Sequence, residues 1–308
     1  MSTVFRTRFL CLFIGPVITG AALLAPAHAA LLVYEGFNGY ANGVLEGKTP
    51  NANTVGLDST IGYYDGAATS RAANYTIQAA GLSLGSLQIS GGSLQFTATS
   101  ANVIGADLDI GGTPFTGTLW SSYLVNLTTK GGTTVGDGAV IRIGNTPSDS
   151  NPTNHFNSWA DSRSSSANVA VGYGSTGTNS TTTGLTTGTT YIIINRFTNV
   201  GGAAGGTASL WVLDAAQFTT FLGTDRSETS LGTAAATNTL TGSFIFSSTQ
   251  AFGIVTVNDA GTYDEIRFGS SLSDVTPTAI PEPGVTAAIF GLVAVALVGF
   301  RRLRAIRA

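Results

Sequence analysis

Between residues 31 and 277 the sequence breaks into apolar and β-branched segments of about five to eight residues, each closed by Gly, Asn, Ser or Asp. An amphipathic helix needs apolar residues recurring every three or four positions over about ten or more residues, and no run of useful length does so. Strands are therefore predicted at 31–37, 87–89, 94–97, 119–127, 139–143, 167–173, 190–197, 208–213, 243–246, 252–257 and 263–268. Leu119, Ser121, Tyr123, Val125 and Leu127 share one strand face by the two-residue period, whereas Tyr191 to Ile194 is apolar on both faces and suits an inner strand. Gly201-Gly202-Ala203-Ala204-Gly205-Gly206 supplies the backbone freedom of a hairpin loop. The Gly, Ser, Thr and Asn stretch 174–190 reads as a long surface loop.

An all-β antiparallel sandwich follows. Roughly 250 of the 308 residues lie between the two terminal segments described next, which suits one large sandwich. Charged side chains make up only 10% of the chain, and residues 30–281 carry eight basic against sixteen acidic side chains, a formal charge of −8. That balance disfavours DNA, RNA or an anionic lipid surface as the main partner. The one cysteine, Cys11, lies in the leader, so the body relies on burial and sheet hydrogen bonds without a disulfide.

Arg6 and Arg8, the apolar run from Phe9 to Leu24, and the small-x-small site Ala27-His28-Ala29 make residues 1–29 a signal peptide. Cys11 is a poor lipoprotein site, because Arg8-Phe9-Leu10 lacks the small residues such a site needs. At the other end, Ile280-Pro281-Glu282-Pro283-Gly284 precedes sixteen uncharged residues from Val285 to Phe300, followed by Arg301, Arg302, Arg304 and Arg307. The run is short for a transmembrane helix of about 17–25 residues, but the arginines hold its end in the cytoplasm. Two prolines keep residues 281–283 extended and open to a protease.

In this order the three features resemble the PEP-CTERM sorting signal of Gram-negative bacteria that make exopolysaccharide, over residues 279–308. The resemblance implies that Pro281, Glu282 and Pro283 are recognised by exosortase, a membrane-embedded cysteine peptidase. It implies an inner-membrane anchor formed by a single transmembrane helix, with Arg301, Arg302, Arg304 and Arg307 as its cytoplasmic end. Processing then removes the tail and passes the body to the cell surface or extracellular matrix. A plain single-span anchor with a proline-rich stalk is the alternative.

Leu31-Leu32-Val33-Tyr34-Glu35-Gly36-Phe37, the pair Thr190 to Phe197 and Ser209-Leu210-Trp211-Val212, and Tyr263-Asp264-Glu265-Ile266-Arg267-Phe268-Gly269 leading to Ser273-Asp274-Val275-Thr276-Pro277 are similar to laminin-G or concanavalin A-like jelly-roll modules of bacterial surface proteins. The implied body is a jelly-roll β-sandwich over residues 30–278. That superfamily holds lectins, adhesive modules and glycoside hydrolases, so the fold leaves activity open.

Retaining glucanases of this fold carry Glu-x-Asp-x-x-Glu on one strand, presenting two carboxyls about 5 Å apart. The body has only Glu35, Glu46, Glu228 and Glu265, and none completes that pattern. Asp264 and Glu265 are adjacent and fall on opposite faces by simple alternation, with Glu265 placed to pair with Arg267. His155, the sole histidine of the body, cannot make a multi-histidine zinc site, and no Gly-x-Ser-x-Gly elbow supports a triad around it.

In 155–161 an aromatic sits among donors and acceptors, so His155, Asn157, Trp159 and Asp161 are candidate glycan contacts; the other reading has Phe156 and Trp159 closing one end of the sandwich. The only cofactor considered is a structural calcium on oxygen ligands. Asp107 and Asp109 put two carboxyls on one strand face, and Asp259 with Asp264 brackets a turn at Gly261. The sequence thus predicts a non-enzymatic, exosortase-sorted surface protein with a structural, adhesive or weak glycan-binding role. A polysaccharide-cleaving hydrolase or lyase on the same fold is the alternative.

Overall fold

The computed structural model describes residues 31–64, 74–85, 89, 91–97, 102–130, 138–144, 156–162, 168–173, 176–179, 184–202, 205–239 and 244–276. In chain order its strands are β1 (Leu31–Glu35), β2 (Gly43–Val44), β3 (Tyr75–Gln78), β4 (Ser93–Thr97), β5 (Asn102–Asp107), β6 (Gly117–Thr129), β7 (Gly138–Gly144), β8 (Phe156–Ser162), β9 (Asn168–Tyr173), β10 (Thr176–Asn179), β11 (Thr190–Val200), β12 (Thr207–Leu213), β13 (Ala236–Thr239), β14 (Ala251–Val257) and β15 (Ala260–Gly269). Nine of them form one sheet in the order β13-β12-β11-β6-β15-β4-β3-β2, with β1 also on β15, and six form the other in the order β10-β9-β8-β7-β14-β5. All pairings are antiparallel. The chain changes sheet at every step from β4 to β7 and again from β13 through β15, so neighbours in sequence face each other across the core as in a jelly roll.

The alternation in β6 does what its sequence demands. Leu119, Tyr123, Val125 and Leu127 enter the core between the sheets, while Trp120 and Leu124 face outward. Ile193 and Phe197 of β11 join the inner core, and Ile192 and Ile194 the outer side. Two polar groups in this core bridge the sheets: Ser158 Oγ of β8 donates to Asn195 Oδ1 of β11 (2.9 Å), and Asn195 Nδ2 donates to Ser121 Oγ (3.0 Å). Being mutually satisfied, they fix the register of β8 at little desolvation cost.

A second apolar layer covers the outer face of the nine-stranded sheet. It comprises helix α1 (Ala215–Leu222), a 3-10 turn at Glu228–Leu231 and the single turn α2 (Leu272–Val275), which place Phe218, Phe221, Leu231, Leu272 and Val275 on Trp120, Leu124, Ile192, Ile194 and Trp211. Asp214 starts α1: its Oδ1 accepts from the Ala216 and Gln217 amides (2.9 and 2.8 Å), and Gln217 Oε1 accepts from the Asp214 amide (2.9 Å). The sequence reading foresaw no such helix.

Other expectations change as well. The 155–161 stretch lies largely in strand β8, and β10 runs inside the supposed loop 174–190. Of the strand expected at 243–246, only the bridge Phe115 to Phe246 is found, residue 243 lying outside the described residues, as 87 and 88 of the 87–89 strand do. Gly261 lies within β15 and not at a turn; the reversal falls at Asn258, with φ +58°. Strand β5 ends at Asp107, so Asp109 lies beyond it. The hairpin expected at the glycine run joins β11 to β12 through Gly201, whose φ is +73°.

Candidate functional site

Strand β15 of the nine-stranded sheet carries a bulge. Its register against β6 shifts between Asp264 and Arg267, and Glu265 sits at φ +51°, a left-handed conformation rare for a residue with a side chain. The bulge returns Ile266 and Phe268 to the core, and Asp264 and Glu265 are both buried. Asp264 accepts from the amides of Leu82 (2.8 Å) and Glu265 (2.7 Å). Glu265 accepts from Tyr34 OH (3.1 Å) and pairs with Arg267 Nη2 (2.6 Å), as the sequence predicted, while the guanidinium lies 4.5 Å from the Tyr34 ring centre.

A third carboxyl joins them from β1, which lies along β15 with Glu35 opposite Ile266. Glu35 accepts from the Phe37 amide (2.5 Å), from Tyr40 OH (3.0 Å) and from Tyr63 OH. Burial pushes its carboxyl up to about 7, against the pull of these donors and with a push from Glu265. Burial, then the neighbouring Glu265, pushes Asp264 up to about 8. The phenols of Tyr34, Tyr40 and Tyr63 are raised by burial and by the same carboxyls. No sequence motif marks Glu35 for a role. Alternation from Val33 puts it on the core face of β1, and a glutamate there was the available signal.

Raised carboxyls near one another invite an acid–base reading, but access denies it. Glu35, Asp264 and Glu265 are 1%, 0% and 4% exposed, and none of them lines any of three clefts found among the described residues, of about 390, 470 and 550 Å³. Through the Phe37 amide and Tyr40 OH, Glu35 supports the wall of a cleft of about 390 Å³ at the end of β2, β3 and β4, under the β1–β2 connection. It is lined by Asn38, Tyr40, Asn42 and Gln78 over a floor of Gly91 and Gly92. The floor must be glycine: a Cβ on Gly92 would fall 2.4 Å from the Gln78 carbonyl and 2.7 Å from that of Phe37. A second cleft, of about 470 Å³, lies between β12 and the 3-10 turn beside Tyr191 and Trp211.

The residues singled out in the sequence are scattered. Asn157 is wholly buried and accepts from Arg142 Nε (2.8 Å), and Trp159 is half-buried in β8. His155 and the Asp161 side chain lie outside the described residues, as do Pro281, Glu282, Pro283, Arg301, Arg302, Arg304 and Arg307. The four aspartates do not converge. Asp107 ends β5 in the six-stranded sheet and accepts from Tyr64 OH (2.6 Å), Asp109 is exposed, Asp259 lies at the β14–β15 reversal, and Asp264 is in the nine-stranded sheet. Among the described residues no three His, Cys, Asp or Glu side chains form a metal-holding group, and no helix is long and apolar enough to cross a membrane.

No family model matches the chain, and no curated protein does. Solved structures similar to it include domain 4 of AbnA, a GH43 extracellular arabinanase from Geobacillus stearothermophilus, in complex with arabinotriose, at 12% identity over 80% of this chain and 97% of that one, with a TM-score of 0.43. The carbohydrate-binding module CBM66 from Bacillus subtilis is similar at 11% identity over 68% and 95%, with a TM-score of 0.34, and alginate lyase vAL-1 from Chlorella virus at 7% over 65% and 94%, with 0.38.

Proposed function

We propose that this is an exported, exosortase-sorted protein of the cell surface or extracellular matrix, whose jelly-roll body contacts polysaccharide without cleaving it. The observation that carries the non-catalytic part is the placement of the carboxyls. Glycoside cleavage needs an acid and a second carboxyl that both reach the scissile bond, and here the clustered carboxyls Glu35, Asp264 and Glu265 are buried and spent on tyrosines, backbone amides and Arg267. The sorting part rests on the chain ends: a signal peptide over 1–29, the body over 30–278, and the Pro-Glu-Pro motif, apolar run and arginine cluster over 279–308.

A reducing-end assay of the purified protein on a panel of polysaccharides tests the first part. No turnover is expected, and turnover abolished by Glu35→Gln or Glu265→Gln would establish the hydrolase instead. The second part is tested in an exosortase-bearing host by fractionation, which should find the body beyond the inner membrane. Its retention there at full length would make the tail a plain anchor.

A further inference from the structure

Resting on the reading of the body as a polysaccharide contact, we infer that the cleft under the β1–β2 connection is the contact site and that it takes a neutral, hydroxyl-rich sugar. Its size, about 390 Å³, falls at the lower end of the roughly 300–1,000 Å³ typical of small-ligand sites. Its position follows from pairing. Strand β2 meets β3 with Gly43 opposite Ile77, and β3 meets β4 with Gln78 opposite Ser93, so Asn42, Gln78 and Gly92 stand side by side where three strands end.

The wall is built from the interior outward. Tyr40 is half-buried with its hydroxyl fixed on Glu35 and its ring edge-on to Tyr63 at 6.2 Å, which leaves the ring as a rigid face for the apolar side of a sugar. The Asn38 carbonyl is held by Asn51 Nδ2 (2.9 Å) and Asn53 Nδ2 (3.2 Å), and Gly91 lies so close beneath that its Cβ would meet that of Asn38 at 2.7 Å. The Asn38 and Asn42 amides take no protein partner among the described residues, and each offers a donor and an acceptor at once, the pattern that matches a sugar hydroxyl.

The chemical class follows from charge. Among the described residues no Asp, Glu, Lys, Arg or His lines the cleft, so none of them would pair there with a uronate or a sulfate, and the acidic body repels both. Three rival positions have their polar groups committed. In the cleft of about 470 Å³ Trp211 Nε1 donates to the Gly232 carbonyl (3.0 Å) and Tyr191 OH accepts from the Thr186 amide (3.3 Å), in a cleft of about 550 Å³ at the start of α1 the Asp214 carboxylate caps that helix, and beside Trp159 the Asn157 amide is buried against Arg142.

The test is isothermal titration of the full-length protein with laminarin, linear arabinan and dextran as neutral probes and alginate as the acidic one. Binding of at least one neutral probe and not of alginate is expected. Asn42→Ala, an exposed change that spares the fold, should weaken it about three- to tenfold, the worth of one hydrogen bond; Tyr40→Ala should remove it, and Trp159→Ala should leave it unchanged. Binding undiminished in both Asn42→Ala and Tyr40→Ala, or lost only in Trp159→Ala, overturns the site while the polysaccharide reading stands. A preference for alginate overturns the neutral class, and no binding to any probe overturns both the site and the reading beneath it.

Discussion

Glu35 and Asp264 set a pH dependence of stability opposite to the usual carboxylate pattern. Their folded values, about 7 and about 8, lie above the unfolded values near 4.3 and 3.9. Between about pH 4 and 8 the folded chain therefore keeps protons that the unfolded chain has released. Since stability changes with pH as the unfolded minus the folded proton count, it falls as pH rises through this window and levels off above it. At about 1.4 kcal/mol per unit, the Glu35 shift alone amounts to about 4 kcal/mol, and Asp264 adds a drop of the same order. For a body of about 250 residues, about 4 kcal/mol is about 8–16 °C in melting temperature. The other titratable or charged groups facing the pair are Tyr34, Tyr40, Tyr63, Glu265 and Arg267, with Arg267 the one cation among them. Asp58 and Asp225, whose carboxyls are held low by Thr60 and Ser230, act in the opposite sense, but only at lower pH. Urea unfolding followed by tryptophan fluorescence at pH 5, 6, 7, 8 and 9 should give a midpoint that declines to about pH 8 and is then flat. Glu35→Gln, which keeps the side-chain length, should remove its share of the slope. A midpoint that rises from pH 5 to 8, or a Glu35→Gln variant with an unaltered slope, would refute the reasoning.

Three further outcomes follow from individual contacts. Asp214→Ala deletes the capping box of α1 and should cost about 1 kcal/mol in a denaturant titration. Gly92→Ala forces a methyl against the Gln78 and Phe37 carbonyls, both backbone, and should lower stability by about 1–3 kcal/mol or more, seen as a clear drop in melting temperature. Replacing Pro281 and Pro283 by Ala should leave export intact but keep the tail attached, because the apolar helix can then extend through Glu282 and hide the backbone a peptidase must grip; mass spectrometry of the mature protein reads the difference.

What the sequence made legible was whatever one-sided burial imposes on it. Strand β6 was readable because every second residue from Leu119 to Leu127 faces the core, and β11 because it is apolar on both faces under the second layer. Strand β8 was not, since its core-facing Ser158 is satisfied by Tyr123 and Asn195 and so lacks the apolar signature on which a strand assignment depends. Helix α1 offers only Phe218 and Phe221 over eight residues, too short for a period to emerge, although the Asp214 and Gln217 spacing of its capping box was there to be read.

The cleft lay further out of reach for a different reason. Asn38, Asn42, Gln78 and Gly92 are joined by no sequence spacing; they meet because β2 and β3 stop pairing at the same edge and because two glycines let the β1–β2 connection pass directly over the β3–β4 turn. Glu35 connects the two levels. Its place in β1 follows from simple alternation, yet its consequence, a tyrosine held rigidly at the rim of a neutral cleft, depends on Tyr40, five residues onward, and on Tyr63, which the fold returns to it from another segment. A buried carboxyl at the end of an apolar strand, followed by glycine and an aromatic, is therefore better read as a support for nearby surface geometry than as a reacting group.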